Sequence, residues 1–185
     1  MRLSEARLQP LAEDQLSDDA LQALGRERGS GAPLLNIFAT LAHHPKLMKR
    51  WLVFGNHVLA KSSLPARERE IVILRIGWLC QAEYEFGQHT VIGKQTGLSD
   101  EEIKRITQGP DVDGWCELDT LLLRAVDELH ADAMVSDATW KSLSTQLSTE
   151  QLLDLVFAVG QYNLVSMALN TLGVQLDEGV PGFPD

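Results

Sequence analysis

The stretch CQAEYEFGQHTVIGKQTGLSDEEI, residues 80–103, decides how this chain is read. It sets a cysteine, a histidine and several carboxylates beside a pattern of helix ends that can be named one by one. Gly97 is placed to close a helix that holds His89, and Ser99 with Glu102 makes a capping box that opens the next. Just upstream, PAREREIVILRIGWL, residues 65–79, starts on a proline suited to a first helical turn and turns apolar almost all round. The stretch therefore reads as the second helix of a pair joined near Cys80–Ala82. It could be a redox thiol site, a metal site, an acid–base site or a crowded turn.

Outward from that pair the helical signal continues. Leu118, Leu121, Leu122, Ala125, Val126 and Leu129 recur at three and four residues, the spacing of one helix face. Ser148 with Gln151 repeats the capping box before a long apolar segment. Helices are expected over 18–25, 33–42, 45–60, 65–79, 82–96, 99–107, 116–131, 137–146 and 149–172. The run IVIL is the only strand-like one, and its flanks favour a buried helix. The fold class expected is all-α. Residues 1–30 read as a polar N-terminal surface arm, 31–175 as the domain and 176–185 as a Pro/Gly-rich C-terminal tail. The helices at 65–79 and 149–172 need covering all round, and part of that cover is expected from a second copy of the chain.

The totals exclude several classes. At 185 residues the chain suits one domain. A formal charge of −10 argues against a nucleic-acid partner, because phosphate binding needs clustered Lys and Arg. Two cysteines make no disulfide framework, and the acidic N-terminus is no signal peptide. The most apolar segment carries Asp154, Gln161, Asn163 and Ser166, so a buried helix suits it better than a membrane span. The expectation is a cytoplasmic protein with no membrane partner, acting on a small molecule.

Glu85 and His89 stand four apart, so on a helix their side chains meet on one face. A carboxylate beside an imidazole raises its pKa and fixes its tautomer, which makes the pair an acid–base unit. The same spacing also fits a plain surface pair. Glu70 borders the apolar run, with Arg67 and Arg69 beside it as candidates to hold a substrate anion. Acids in a first helical turn are equally explained by the helix dipole. Tyr84 flanks the acid–base pair. Cys80 is either a nucleophile at a helix junction or a buried thiol among Trp78, Leu79 and Ala82. Tyr162 and Asn163 are polar groups in the most buried helix and need partners. No cofactor is implied, and a metal on Glu70, Glu85 and His89 is the weaker alternative.

The segments ARERE-IVILR and EYEFGQHTVIGKQTGLSDEEI resemble the carboxymuconolactone decarboxylase family, which shares its fold with the alkylhydroperoxidase AhpD. The resemblance runs from about Leu34 to Gly173 and is specific over 65–103. It implies an AhpD-like helical bundle and a homo-oligomer, whether dimer, trimer or hexamer. AhpD-like peroxidases carry Cys-x-x-Cys-x-x-x-His with a glutamate twelve residues before the first cysteine. Anchored on His89, those positions fall on Ala82, Glu85 and Glu70, so the glutamate and histidine are kept and both redox cysteines are gone. Cys80 is offset by two residues, which turns a helical side chain by about 200°.

The decarboxylase branch resembles this chain in Glu85-x-x-x-His89 and in the arginines at Arg67 and Arg69. The expectation is therefore acid–base chemistry, decarboxylation or proton transfer, on a small carboxylated lactone or related organic acid. Its catalytic residues would be Glu70, Glu85 and His89, with Arg67, Arg69 and Tyr84 binding substrate. Peroxidase activity through Cys80 is the alternative, and a non-catalytic oligomeric binding protein of the same fold is a third. One geometric condition decides the three-residue site. On a straight helix Glu70 and His89 would stand roughly 28 Å apart, so the chain must reverse near Cys80–Ala82 or a second subunit must supply one of them.

Overall fold

The structure, a computed structural model, describes residues 1–26 and 33–184. Among these residues the chain is all-α, without strands. Its helices are α1 (Asp18–Leu24), α2 (Asn36–Leu41), α3 (Pro45–Ala60), α4 (Ala66–Leu79), α5 (Glu83–Gln95), α6 (Asp100–Gln108), α7 (Glu117–Asp132), α8 (Asp137–Leu143) and α9 (Thr149–Leu172). The two expected capping boxes are present, Ser99 with Glu102 opening α6 and Ser148 with Gln151 opening α9. The IVIL run lies inside α4.

Helix α4 is the axis of the molecule. Every residue from Glu70 to Gly77 is buried, and α5, α6, α7 and α9 pack around it. Its apolar circumference is covered by this chain alone. One cluster joins α4 to α7 and α9 through Val72, Ile73, Ile76, Leu122, Val126, Leu155 and Val159. A second, built on Ile71, Leu74 and Phe86, meets α6 through Ile103 and Ile106.

A buried arginine fastens this core. The Arg75 guanidinium donates to both Asp127 oxygens of α7 at 2.6 and 2.8 Å, and to the Ile106 and Thr107 carbonyls at 2.8 and 3.1 Å. Those carbonyls end α6 and have no partner within their helix, so one cation closes a helix terminus and an ion pair together.

The two ends of the chain depart from the expected picture. The N-terminal segment was expected as a surface arm, but Leu16, Ala20 and Leu21 are buried against Ala42 and Met48. A short Ser17-capped helix with one apolar face is hidden there by the acids around it. Residues 27–30 of that arm lie outside the described residues. Helix α2 starts at Asn36 rather than at 33, because its cap is remote: Asn36 N–H donates to Asp177 of the tail at 2.9 Å. The tail then lays Phe183 edge-on to Trp78 and Phe86, with ring centroids 4.9 and 5.3 Å apart.

By length and composition α9 could cross a membrane, but it is packed into this bundle along one side. Its other side bears Leu153, Phe157, Leu164 and Met167, all about half exposed.

Replacing Arg75 by Met strands Asp127 and two helix-end carbonyls. Urea unfolding is expected to show a loss of roughly 3 kcal/mol. A change under about 0.5 kcal/mol, the usual range of surface substitutions, would show that the cation does not fasten the core.

Candidate active site

The geometric condition set by the sequence is met within one chain. Helix α4 ends at Leu79, Cys80 and Gln81 turn the backbone, and Ala82 opens α5. Gln81 adopts φ 52°, a left-handed conformation that a non-glycine residue rarely takes. The reversal lays α5 back along α4, and His89 falls level with Glu70.

His89 Nδ1–H donates to Glu70 Oε2 at 2.6 Å, and Nε2–H donates to Glu85 Oε1 at 3.0 Å. All three side chains are buried, Glu70 completely. Arg69 Nε–H reaches the other Glu70 oxygen at 3.4 Å. Burial alone would lower the His89 pKa. Hydrogen bonds and charge from Glu70 and Glu85 outweigh it and raise the pKa from 6.5 to about 9. The imidazole is therefore a cation at neutral pH, with a carboxylate on each nitrogen.

Beside this triad is a cavity of about 130 Å³ between α3, α5 and α9. Glu85 and His89 form part of its wall, with Tyr84, Gln88, Trp51, Gln161 and Tyr162. Tyr162 stands edge-on to the imidazole, ring centroids 4.9 Å apart. Among the described residues no lysine or arginine lines this cavity. Among the described residues no group of three His, Cys, Asp or Glu side chains is arranged to hold a metal ion.

The other sequence candidates are placed differently. Arg67 is not free to bind substrate: it donates to both Asp119 oxygens at 2.9 and 3.0 Å and to Glu102 at 2.6 Å. It ties the start of α4 to α6 and α7, and those carboxylates lie 35 and 52 residues away, beyond any local pattern. Arg69 serves Glu70 and is absent from the cavity wall. Tyr84 does border the cavity, but its hydroxyl donates to Asp177 at 2.5 Å and accepts from Gln88 Nε2–H at 3.3 Å. Its phenol holds the tail in place. Cys80 is buried in the α4–α9 cluster, its thiol donating to Asn163 Oδ1 at 3.0 Å. Burial pushes that thiol up from 9.0, away from the reactive thiolate.

The carboxymuconolactone decarboxylase family model matches residues 45–128, from the start of α3 into α7 and across the whole triad. Among solved structures, the alkylhydroperoxidase AhpD core from Ralstonia eutropha JMP134, an uncharacterized peroxidase-related protein, superposes with a TM-score of 0.80. It is 19% identical, over 94% of this chain and 93% of that one. An uncharacterized peroxidase-related protein from Silicibacter sp. TM1040 gives 0.77 at 14% identity, over 96% of each chain. Over residues 45–128 the chain is similar to the carboxymuconolactone decarboxylase family, and its fold is AhpD-like. The superfamily fold also appears in debrominase Bmp8, whose cysteine-to-alanine variant was solved with 2,3,4-tribromopyrrole: TM-score 0.73, 14% identity, over 95% of this chain and 94% of that one. At such identities these likenesses establish the AhpD-like fold and carry no reaction with them. No curated protein matches the sequence.

The raised His89 pKa carries a sign that can be checked. A histidine whose folded pKa exceeds its unfolded value adds stability that is complete below about pH 6.5 and is lost as pH rises through about 9. The stability gap between wild type and His89→Gln is expected to narrow by about 3 kcal/mol across that window. In NMR the His89 ring resonances should titrate near pH 9. A midpoint at or below 6.5 would overturn the charged-imidazole reading.

Proposed function

We propose that this chain is an enzyme that moves a proton to or from carbon in a small molecule, with Glu85 and His89 as the relay. The supporting observation is the His89 cation held between Glu70 and Glu85, with Glu85 and His89 bordering the cavity. Glu85 meets the substrate, His89 Nε2 exchanges the proton with it, and Glu70 on Nδ1 keeps the imidazole oriented and charged. The same relay can complete a decarboxylation. The bond to the carboxylate breaks, CO₂ leaves, the electron pair stays on carbon, and the relay protonates it. The resemblance supports a carboxylated lactone, but Arg67 is engaged elsewhere, so His89 would be the cation nearest a substrate carboxylate.

Peroxidase chemistry through Cys80 is the weaker reading, because its sulfur is buried, hydrogen-bonded and absent from the cavity wall. A purely binding role is weaker too, since Glu85 and His89 are paired with side chains beside an open cavity rather than capped by backbone groups. We place the enzyme in the cytoplasm, in keeping with two free cysteines. It works as a homo-oligomer through the outer face of α9, where Leu153, Phe157, Leu164 and Met167 keep coiled-coil spacing and Phe157 meets exposed Phe54 of α3.

Two assays test the reaction: CO₂ release from carboxylated lactones, and deuterium uptake from D₂O at carbon next to a carbonyl. Glu85→Gln and His89→Asn should each lose about 10²-fold or more of wild-type turnover. Wild-type protein that is inactive in both assays but consumes hydroperoxide with a dithiol, an activity lost in Cys80→Ser, would replace this reading with the thiol one.

The oligomer is tested by light scattering on the eluting protein. Wild type should have the mass of two or more chains, and Phe157→Glu with Leu164→Glu should reduce it to one. A monomeric wild type overturns the assembly.

A further inference from the structure

Two side chains on α9 border the cavity beside the relay and make no hydrogen bond to it. Tyr162 and Gln161 are each 6% exposed, and both border the cavity. Among the described residues the Tyr162 hydroxyl has no hydrogen-bond partner, nor has the Gln161 amide. Both residues border the cavity, so these groups are open to the space beside His89. Burial, then the charges of Glu85 and Glu70, push the Tyr162 phenol up, so it remains a neutral O–H donor at working pH.

The opposite wall is shaped to keep that space clear. Gly55 lies inside α3, where glycine costs about 1 kcal/mol relative to alanine. Its backbone conformation does not demand glycine. A β-carbon there would sit 3.5 Å from Gln161 Nε2 and 3.7 Å from the Trp51 ring, in ordinary contact, so any longer side chain would grow into the cavity. Trp51 also borders a second, wholly apolar cavity of about 180 Å³, together with Ile37 and Val165, which line both. The Trp51 indole N–H is buried without a partner. The two cavities share that wall: the first has hydrogen-bond donors beside the relay, the second is apolar, and among the described residues no lysine or arginine borders either.

We propose that Tyr162, assisted by Gln161, binds the carbonyl oxygen of the substrate, which is a small ketone or lactone with an apolar body lying past Trp51. The inference rests on the proton-transfer reading of Glu85 and His89 and names its substrate class. With the carbonyl oxygen on Tyr162, the adjacent carbon faces Glu85. Glu85 takes the proton as the C–H bond breaks. The C–H electron pair becomes a C=C bond, the carbonyl π pair moves to oxygen, and the Tyr162 O–H donates to the resulting enolate. Return of the proton to the same or a conjugated carbon completes exchange or isomerisation without any oxidant or reductant.

The test uses 2-cyclohexen-1-one labelled with ¹³C at the carbonyl. Bound to wild type, its carbonyl resonance should move downfield, the signature of a hydrogen bond to oxygen. Tyr162→Phe should abolish that shift and weaken binding about 10-fold. Gly55→Leu should block the probe, while Gly55→Ala should bind it and unfold at a higher temperature than wild type. His89→Gln should keep the Tyr162-dependent shift even though it exchanges no proton. A wild type that does not bind the probe, or a shift that survives Tyr162→Phe, overturns the oxygen site. A normal shift with no deuterium exchange in wild type leaves the oxygen site standing and overturns the proton-transfer reading instead.

Discussion

The bond between His89 and Glu70 is the constraint around which the bundle is arranged. Glu70 is wholly enclosed in the most buried helix of the protein, where an unpaired carboxylate would cost several kcal/mol. Its partner must come from another helix and arrive at hydrogen-bond range, which fixes the reversal after α4 and the register of α5. Glycines make the approach possible. A β-carbon on Gly93 would stand 3.1 Å from Leu98 Cδ1, which would have to give by a few tenths of an ångström, and 3.4 Å from Leu74 Cδ1 of α4.

The same constraint divides the arginines of α4 by task. Arg67 and Arg75 face outward from the axis and are consumed by carboxylates on neighbouring helices, which gives a strongly acidic chain internal cross-links. Arg69 stays with Glu70 and offsets the second carboxylate of the triad. Two carboxylates, an imidazolium and this guanidinium sum to no net charge, so the site can be buried without a counter-ion from solvent. A site balanced in this way gains little from binding a further anion. It favours a ligand that brings dipoles and apolar surface rather than charge.

Local chemistry made the framework readable. Helix ends were marked by Ser99 with Glu102, by Ser148 with Gln151 and by Gly97, all short-range signals that the fold keeps. Glu85 and His89 were readable from four-residue spacing, and Glu70 stood out by bordering the apolar run, although a first-turn acid explained it equally well until the resemblance singled it out. What the sequence could not reveal was pairing across distance. Arg67 looked free because Glu102 and Asp119 lie on other helices, and the start of α2 was misplaced because its cap is Asp177, 141 residues on. Tyr162 was legible as a polar group in an apolar helix that needs a partner, but its place on the cavity wall beside Gln161 was not. An unsatisfied donor is recognised by the partner it lacks, and only coordinates show that.

On the proposed reading, the position of Glu85 sets the kind of chemistry open to this scaffold. It stands where the resemblance places the second cysteine of a dithiol, and Ala82 takes the place of the first. A carboxylate cannot carry electrons between states as a thiol pair does, but it can hold or release a proton. Between Glu85 and Glu70, His89 keeps its proton well above neutral pH, so the pair that would serve a thiol becomes a proton store. Cys80 cannot restore the redox role from two residues away, because the helix junction turns its sulfur into the α4–α9 core and onto Asn163. On the proposed reading His89 and Glu70 serve proton traffic, and Tyr162 and Gln161 border the cavity beside them as candidate donors.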